Sequence, residues 1–149
     1  MSEIPVLSFQ LWKINIKMIN LQIGSRSETI IDANKYWNAT GIYLEIGATY
    51  RFEVEGEQFW CDAWIRSDAD GYTQPWLSWA EMFRRKPKEN WFSIIGNIGQ
   101  SGEQEFLIGK KLEKYKATSS GELFCYANDV PIMYFNNRGT LSLTITRLS

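Results

Sequence analysis

Hydrophobic and polar residues alternate one by one along several stretches of this chain, and no other feature constrains the fold as strongly. In residues 50–55 (Tyr-Arg-Phe-Glu-Val-Glu) the apolar side chains fall on one face and the charged ones on the other. Segments 42–46 and 141–146 repeat the pattern, and Gly47 and Gly56 bracket residues 50–55 as turn residues. A period of two is typical of a β-strand with one buried face. The pattern therefore predicts a domain built from strands.

Further strand candidates follow at short intervals along the chain. They are residues 91–95, 104–108, 112–117 and 122–128. Residues 12–18 also alternate until the phase slips at Ile19, which predicts a bulge or bend near Asn20. Roughly eight to ten short strands separated by turn residues predict an all-β fold, an antiparallel two-sheet β-sandwich.

One segment departs from the alternation and predicts a short helix. Between residues 75 and 85, Trp76, Trp79, Ala80 and Phe83 recur at helical spacing, and Pro75 suits a first helical turn. We interpret this aromatic stripe as a packing face rather than a platform for a ligand.

Length and charge limit the organisation of the chain and its partners. A length of 149 residues is typical of one domain, so residues 1–149 are expected to share a single core. The 16 basic and 17 acidic side chains form no long block of one sign, which argues against nucleic-acid binding. No run of 18 apolar residues could span a membrane. No secretory signal is visible, so we expect a cytoplasmic protein unless it is released or exported without one.

The residue types present argue against catalysis and against zinc. The chain has no His, which removes the common nucleophile–base pairs and the usual general base. Cys61 and Cys125 lack metal-binding spacing and are expected to be reduced, structural thiols. The 17 acidic residues include no pair whose spacing marks a glycosidase. We therefore expect a binding protein rather than an enzyme.

A loop between the last two predicted strands has the composition of a site for a hard cation. Pro131 prevents ladder pairing just after Asp129, so the backbone must leave the sheet there. Asn136 and Asn137 offer amide oxygens, and Gly139 lets the chain turn back. Carboxylate, amide and main-chain oxygens together suit calcium, although the same residues are common in ordinary loops. Asp62, Asp68 and Asp70 are the next candidates, and Asp68-Ala69-Asp70-Gly71 itself is interpreted as a solvated turn.

The same loop resembles the calcium loop of the small bacterial calcium-dependent galactose-binding lectins. The residues concerned are Asn128-Asp129-Val130-Pro131, Tyr134, Asn136-Asn137-x-Gly139 and the Ser/Thr-rich last strand. Ile95-Gly96-Asn97, and Tyr50 to Gly56 followed by Trp60, are also similar to that family. The resemblance covers residues 33–147 and implies a galactose-binding-like, jelly-roll sandwich, with residues 1–32 as N-terminal extension strands.

The resemblance implies a set of metal and sugar ligands. Calcium would be held by the Asp129 carboxylate, the carbonyl of Met133, oxygens of Asn136 and Asn137, and a main-chain carbonyl near Ala63. The family's sugar completes the calcium shell with two hydroxyls, and the residues that touch it correspond to Asp129, Val130 and Asn136. The implied function is that of a calcium-dependent lectin, a site without turnover.

Two departures from the family mean that the sequence does not specify which sugar is bound. Its galactose lectins hold the outer sugar hydroxyl with a His and a Gln, and this chain has no His, so galactose is one option among several sugars. The segment 65–90, with Trp76 and Trp79, is longer than its counterpart and is a candidate replacement for that loop. A homo-oligomer is left open as well. The alternative function is a non-catalytic sandwich module that binds protein or lipid.

Overall fold

The alternating segments form a β-sandwich in the computed structural model, which describes residues 17–149. The strands are β1 (Ile19–Asn20), β2 (Arg26–Asp32), β3 (Asn38–Leu44), β4 (Thr49–Glu53), β5 (Trp60–Asp62), β6 (Ile65–Ser67), β7 (Ile94–Ile98), β8 (Glu105–Leu107), β9 (Lys111–Lys116), β10 (Gly121–Ala127), β11 (Asn137–Arg138) and β12 (Thr140–Arg147). Two 3₁₀ helices, Pro75–Phe83 and Tyr134–Asn136, complete the described structure. The predicted all-β class is confirmed. Within residues 17–149 no helix is long and apolar enough to cross a membrane.

Two large sheets form the layers, and a small third sheet closes one end. The strand orders are β1-β3-β10-β7-β8, β2-β12-β4-β9 and β11-β5-β6. Every named pair is antiparallel except β1 with β3. The inward-facing side chains of both large sheets share a core, formed by Ile31, Phe52, Leu141, Leu143 and Ile145 on one side and Ile42, Leu44, Ile94, Leu123 and Cys125 on the other. The period-two pattern thus corresponds directly to the buried faces.

The strands predicted at 42–46, 50–55, 104–108, 112–117, 122–128 and 141–146 correspond to β3, β4, β8, β9, β10 and β12. The candidate at 91–95 is displaced, because β7 begins only at Ile94. Phe92 has a positive φ of 63°, a conformation outside the β region, which prevents the strand from starting earlier. The alternation at 12–18 lies almost entirely outside the described residues.

The N-terminal part of the described chain supplies one edge strand to each large sheet. β1 ends at Asn20, near the predicted bend, and pairs with β3. β2 pairs with the last strand, β12, along its whole length. Cys61 and Cys125 are both free thiols, as predicted.

The predicted helix at 75–85 exists, but its packing was predicted wrongly. The segment Pro75–Phe83 is a 3₁₀ helix, and its one buried residue is Ala80. Trp76 and Trp79 are 57% and 72% exposed, and Phe83 is 55% exposed. Three residues per turn place Trp76 and Trp79 on one face, and that face borders a cleft instead of the core.

Candidate functional site

The chain leaves the sheet before Pro131, as the sequence predicts, and two hydrogen bonds fix the loop that follows. After β10, the loop turns through Met133, whose N–H donates to the Val130 carbonyl at 2.9 Å. The Tyr134 hydroxyl donates to the Ala127 carbonyl at 2.6 Å, which ties the short 3₁₀ turn to the end of β10. Asp129 is therefore carried on a defined backbone.

Asp129 is buried, with only 3% of its surface exposed. One carboxylate oxygen accepts the Val130 N–H at 2.7 Å, and the other accepts the Asn137 side-chain amide at 3.0 Å. Burial, reinforced by the charge of Asp62, raises the pKa of Asp129 to about 6, against the smaller lowering effect of these two hydrogen bonds. The site therefore holds a negative charge at neutral pH that the surrounding protein compensates only in part.

Asp62 supplies a second carboxylate to this site, and the small sheet positions it. β11 pairs with β5 so that Asn137 lies opposite Asp62. Burial raises the pKa of Asp62, while the hydrogen bond from the Tyr72 hydroxyl acts in the opposite direction. Two partly desolvated carboxylates near one another favour a bound cation, since like charges in a low dielectric repel.

Two amide oxygens beside these carboxylates are buried without a hydrogen-bond donor. They are the side-chain oxygens of Asn136 and Asn137. The amide nitrogen of Asn137 is already used, because it donates to Asp129 and to the Ala33 carbonyl at 3.1 Å. An unsatisfied buried acceptor costs roughly 1–3 kcal/mol, and oxygens of this type are ligands that calcium prefers.

Ala63 follows Asp62 directly and has a positive φ of 53°. Its N–H donates to the Asn136 carbonyl at 3.2 Å, so the two loops are in contact. Its carbonyl, which the resemblance implies as a metal ligand, accepts a bond from Arg138 at 3.2 Å. A carbonyl oxygen has a second lone pair, so this bond leaves one free for a cation.

The predicted site residues come together around one cleft of about 550 Å³. Ala63, Asp129, Val130, Met133 and Asn136 all line it, and Asn137, which does not, donates a hydrogen bond to the Asp129 carboxylate at 3.0 Å. Their roles as metal or sugar ligands stay predictions. Within residues 17–149 no three Asp, Glu, Cys or His side chains cluster as a metal site, so amide and main-chain oxygens would have to complete the shell.

The structure adds Asp62 and Tyr72 to the residues of the candidate site. The sequence indicates Asp62 only as a next candidate after Asp129, and its one local signal is that it adjoins Ala63. Tyr72 carries no local signal. Its position depends on the bridge between Tyr72 and Trp91, which only the folded chain reveals.

One wall of the cleft is apolar. The segment that follows the 3₁₀ helix of this wall is hydrogen-bonded to Asn128 and Asp129. The side chains of this wall are Trp64, Trp76, Trp79, Phe83 and Ile132. The buried Asn128 side chain accepts the Lys86 N–H at 3.0 Å and donates to three carbonyls, of Lys86, Glu89 and Asn90, at 2.9–3.1 Å. The Arg85 N–H donates to the Asp129 carbonyl at 3.0 Å, and its guanidinium lies 3.4 Å from the Tyr126 ring centre.

The comparisons with known proteins agree with the architecture. No family model and no curated protein matches the sequence. A solved structure described as "EclA N-terminal domain; PllA-like lectin" is similar, with a TM-score of 0.58 over 80% of this chain and 94% of that chain. The sequence identity is 14%, so this likeness shows a lectin-like sandwich fold and nothing finer.

Proposed function

We propose that this protein binds carbohydrate through one calcium ion held at the floor of the cleft, without turnover. The observation that carries the proposal is the pair of buried Asn136 and Asn137 amide oxygens that have no donor, beside the carboxylates of Asp129 and Asp62. The similar solved structure is named a lectin, which supports carbohydrate as the ligand class.

Calcium suits this set of donors on chemical grounds. It takes six to eight oxygens from carboxylates, amides, main-chain carbonyls and the ligand itself, with tolerant geometry. Asp129 and Asp62 would supply charge, while Asn136, Asn137 and the carbonyls of Met133 and Ala63 would supply neutral oxygens. Two neighbouring sugar hydroxyls would then fill the open side of the shell, next to Val130.

The apolar wall favours one alternative, an interaction module that binds protein or lipid through this cleft without sugar. Trp64 and Ile132 are each 80% exposed, which is far more apolar surface than a small sugar needs. The two functions differ in their requirement for a bound cation. The lectin requires calcium at the floor of the cleft, and the interaction module does not.

The test is a glycan array probed with the unmodified protein in millimolar calcium and again in excess chelator. We expect glycan signals that chelator abolishes. Asp129→Asn should lose them, because it removes a charge from the proposed shell. Asp68→Asn is the matched control, since Asp68 is a turn residue outside the cleft that caps the Asp70 N–H at 2.9 Å. Glycan signals that persist in chelator, or no signals at all, would contradict the proposal.

A further inference from the structure

The guanidinium of Arg85 lies among aromatic rings next to the loop that carries the proposed metal ligands. Its central carbon is 3.4, 3.7, 4.4 and 5.6 Å from the ring centres of Tyr126, Tyr36, Trp37 and Tyr134. Rings at such distances attract a cation. Within residues 17–149 this guanidinium forms no ion pair with a carboxylate. The aromatic rings and nearby oxygens therefore fix its position.

Arg85 contacts the loop 129–136 at two separate points. Its main-chain N–H donates to the Asp129 carbonyl at 3.0 Å. Its side chain donates to the Tyr134 hydroxyl at 3.1 Å, and Tyr134 is the first residue of the 3₁₀ turn that ends at Asn136. One residue thus holds the start of the loop through its main chain and the later turn through its side chain.

The second contact is tied to the rigid part of the domain. The Tyr134 hydroxyl donates to the Ala127 carbonyl at the end of β10, and the Arg85 guanidinium also donates to the Tyr36 carbonyl. Tyr126 is fully buried, and Tyr134 is 6% exposed. A planar guanidinium can stack on rings and donate several hydrogen bonds at once, which an ammonium group does not do. The arrangement is therefore specific to arginine.

We propose that Arg85 is the positioning residue of the loop 129–136 and, through that loop, of the calcium ligands. The calcium part of this inference rests on the proposed function. A loop that is already held in its binding geometry avoids an ordering cost when the ion binds. Changing the Arg85 side chain leaves the main-chain bond to Asp129 in place, but it releases the turn that begins at Tyr134.

The charge of Arg85 acts in the opposite direction to this positioning role. A guanidinium repels a calcium ion, so its removal should tighten calcium binding if only the charge matters. Removal of a positioning residue should weaken calcium binding instead. The direction in which the calcium Kd changes therefore separates the two roles.

The experiment is a calcium titration of the folded protein by isothermal titration calorimetry, without sugar. Arg85→Ala and Arg85→Lys should each raise the calcium Kd at least about fivefold, roughly the effect of one lost hydrogen bond. Arg84→Lys is the matched control, because the Arg84 guanidinium donates to the Pro87 carbonyl at 2.5 Å and lies over the Trp91 ring instead of on the loop. Its calcium Kd should stay within about twofold of the parent value, since it shares no partner with the loop.

A double-mutant cycle tests whether Arg85 acts through Tyr134. Tyr134→Phe removes the hydroxyl that the guanidinium contacts. Two changes that break the same interaction are not additive in free energy. Arg85→Lys combined with Tyr134→Phe should therefore raise the calcium Kd by less than the product of the two single effects.

Hydrogen exchange in excess chelator tests the loop without the ion. The amides of residues 129–136 should exchange at least about threefold faster in Arg85→Lys than in Arg84→Lys, because a loop that has lost a contact opens more often. A parent protein that binds no calcium would contradict the proposed function. Faster exchange in Arg85→Lys would still show that Arg85 positions the loop, so the two failures are distinguishable.

Three results would overturn the inference. The first is a calcium Kd that the Arg85 changes leave equal to the parent value or lower. The second is equal exchange of the loop amides in Arg85→Lys and Arg84→Lys. The third is full additivity in the cycle with Tyr134→Phe. Far-ultraviolet circular dichroism confirms that each variant is folded, and Arg85→Lys retains the charge if Arg85→Ala does not fold.

Discussion

Asp129 combines a cost to stability with the role that the proposed site assigns to it. Its carboxylate is desolvated, and the nearby charge of Asp62 further disfavours ionisation. A bound cation would reverse that balance by neutralising both groups. The same residue should therefore weaken the metal-free protein at neutral pH and support the metal-bound one.

The pH dependence of the metal-free protein follows from the pKa of Asp129, which is raised to about 6 from an unfolded value near 3.8. A raised pKa means that the folded state binds the proton more tightly. This tighter proton binding by Asp129 stabilises the folded state. Its contribution to the free energy of unfolding is complete below about pH 4 and is lost as the pH rises through 6. In chelator, the parent should lose up to about 3 kcal/mol of stability relative to Asp129→Asn between pH 4 and pH 7.

Urea unfolding of both proteins at several pH values measures this difference. The comparison cancels the titrating groups that do not interact with Asp129, so the pH-dependent difference reports Asp129 together with its neighbour Asp62. It is unaffected by a constant offset from altered hydrogen bonding to Asn137. A difference that stays constant with pH would show that Asp129 ionises as freely in the folded chain as in the unfolded one.

At the same scale, the residues of the site were only partly predictable. Asp129, Asn136 and Asn137 lie within ten residues of one another, so composition and a family resemblance were sufficient to propose them as candidates. Asp62 joins them through the pairing of β11 with β5, across 75 residues of sequence. Such a register depends on the whole sheet and has no local signature.

Among the elements, the junction between β10 and the segment 86–90 depends on one side chain. Asn128 is fully buried, and its amide satisfies one N–H and three carbonyls. Asn128→Ala removes the partner of the Lys86 N–H and of the Glu89 carbonyl, whereas the Lys86 and Asn90 carbonyls keep bonds from Glu89 and Ser93. We expect a loss of roughly 2–4 kcal/mol of stability.

The measurement is urea unfolding together with limited trypsin digestion. The bonds after Arg84, Arg85 and Lys88 should become sites of early cleavage, because the segment that Asn128 holds is released. The bond after Lys86 precedes Pro87 and resists trypsin. Asn90→Ala is the matched control, since its side chain makes one bond of 3.3 Å to the Asp70 carbonyl. Equal effects of the two changes would exclude a special role for Asn128.

The strands themselves were largely predictable where alternation is long. β3, β4 and β12 each bury alternate side chains, so their period shows in the sequence. β5 and β6 have three residues each, too few for a period to appear. The aromatic stripe at 75–83 has helical spacing, but periodicity identifies a face without showing whether core or solvent lies beside it.

For the whole molecule, calcium should raise the melting temperature. A ligand that binds only the folded state adds about 2.7 kcal/mol at one hundred times its Kd. With Kd on the order of 10⁻⁴ M, as for a site with few carboxylates, 10 mM calcium should raise Tm by roughly 5–10 °C. Differential scanning calorimetry in calcium, in chelator and in calcium with Asp129→Asn tests this. An equal shift in the variant would place the ion elsewhere on the chain.

The unequal burial of the two thiols also makes the chain suitable for spectroscopy without mutation. Cys125 is fully enclosed in the core, where burial raises the pKa of its thiol and shields it from reagents. Cys61 is partly exposed and immediately precedes Asp62 on β5. Successive strand residues project to opposite faces, so a maleimide dye on Cys61 would lie next to the site yet outside the cleft. Its emission would follow occupancy of the cleft in the native sequence.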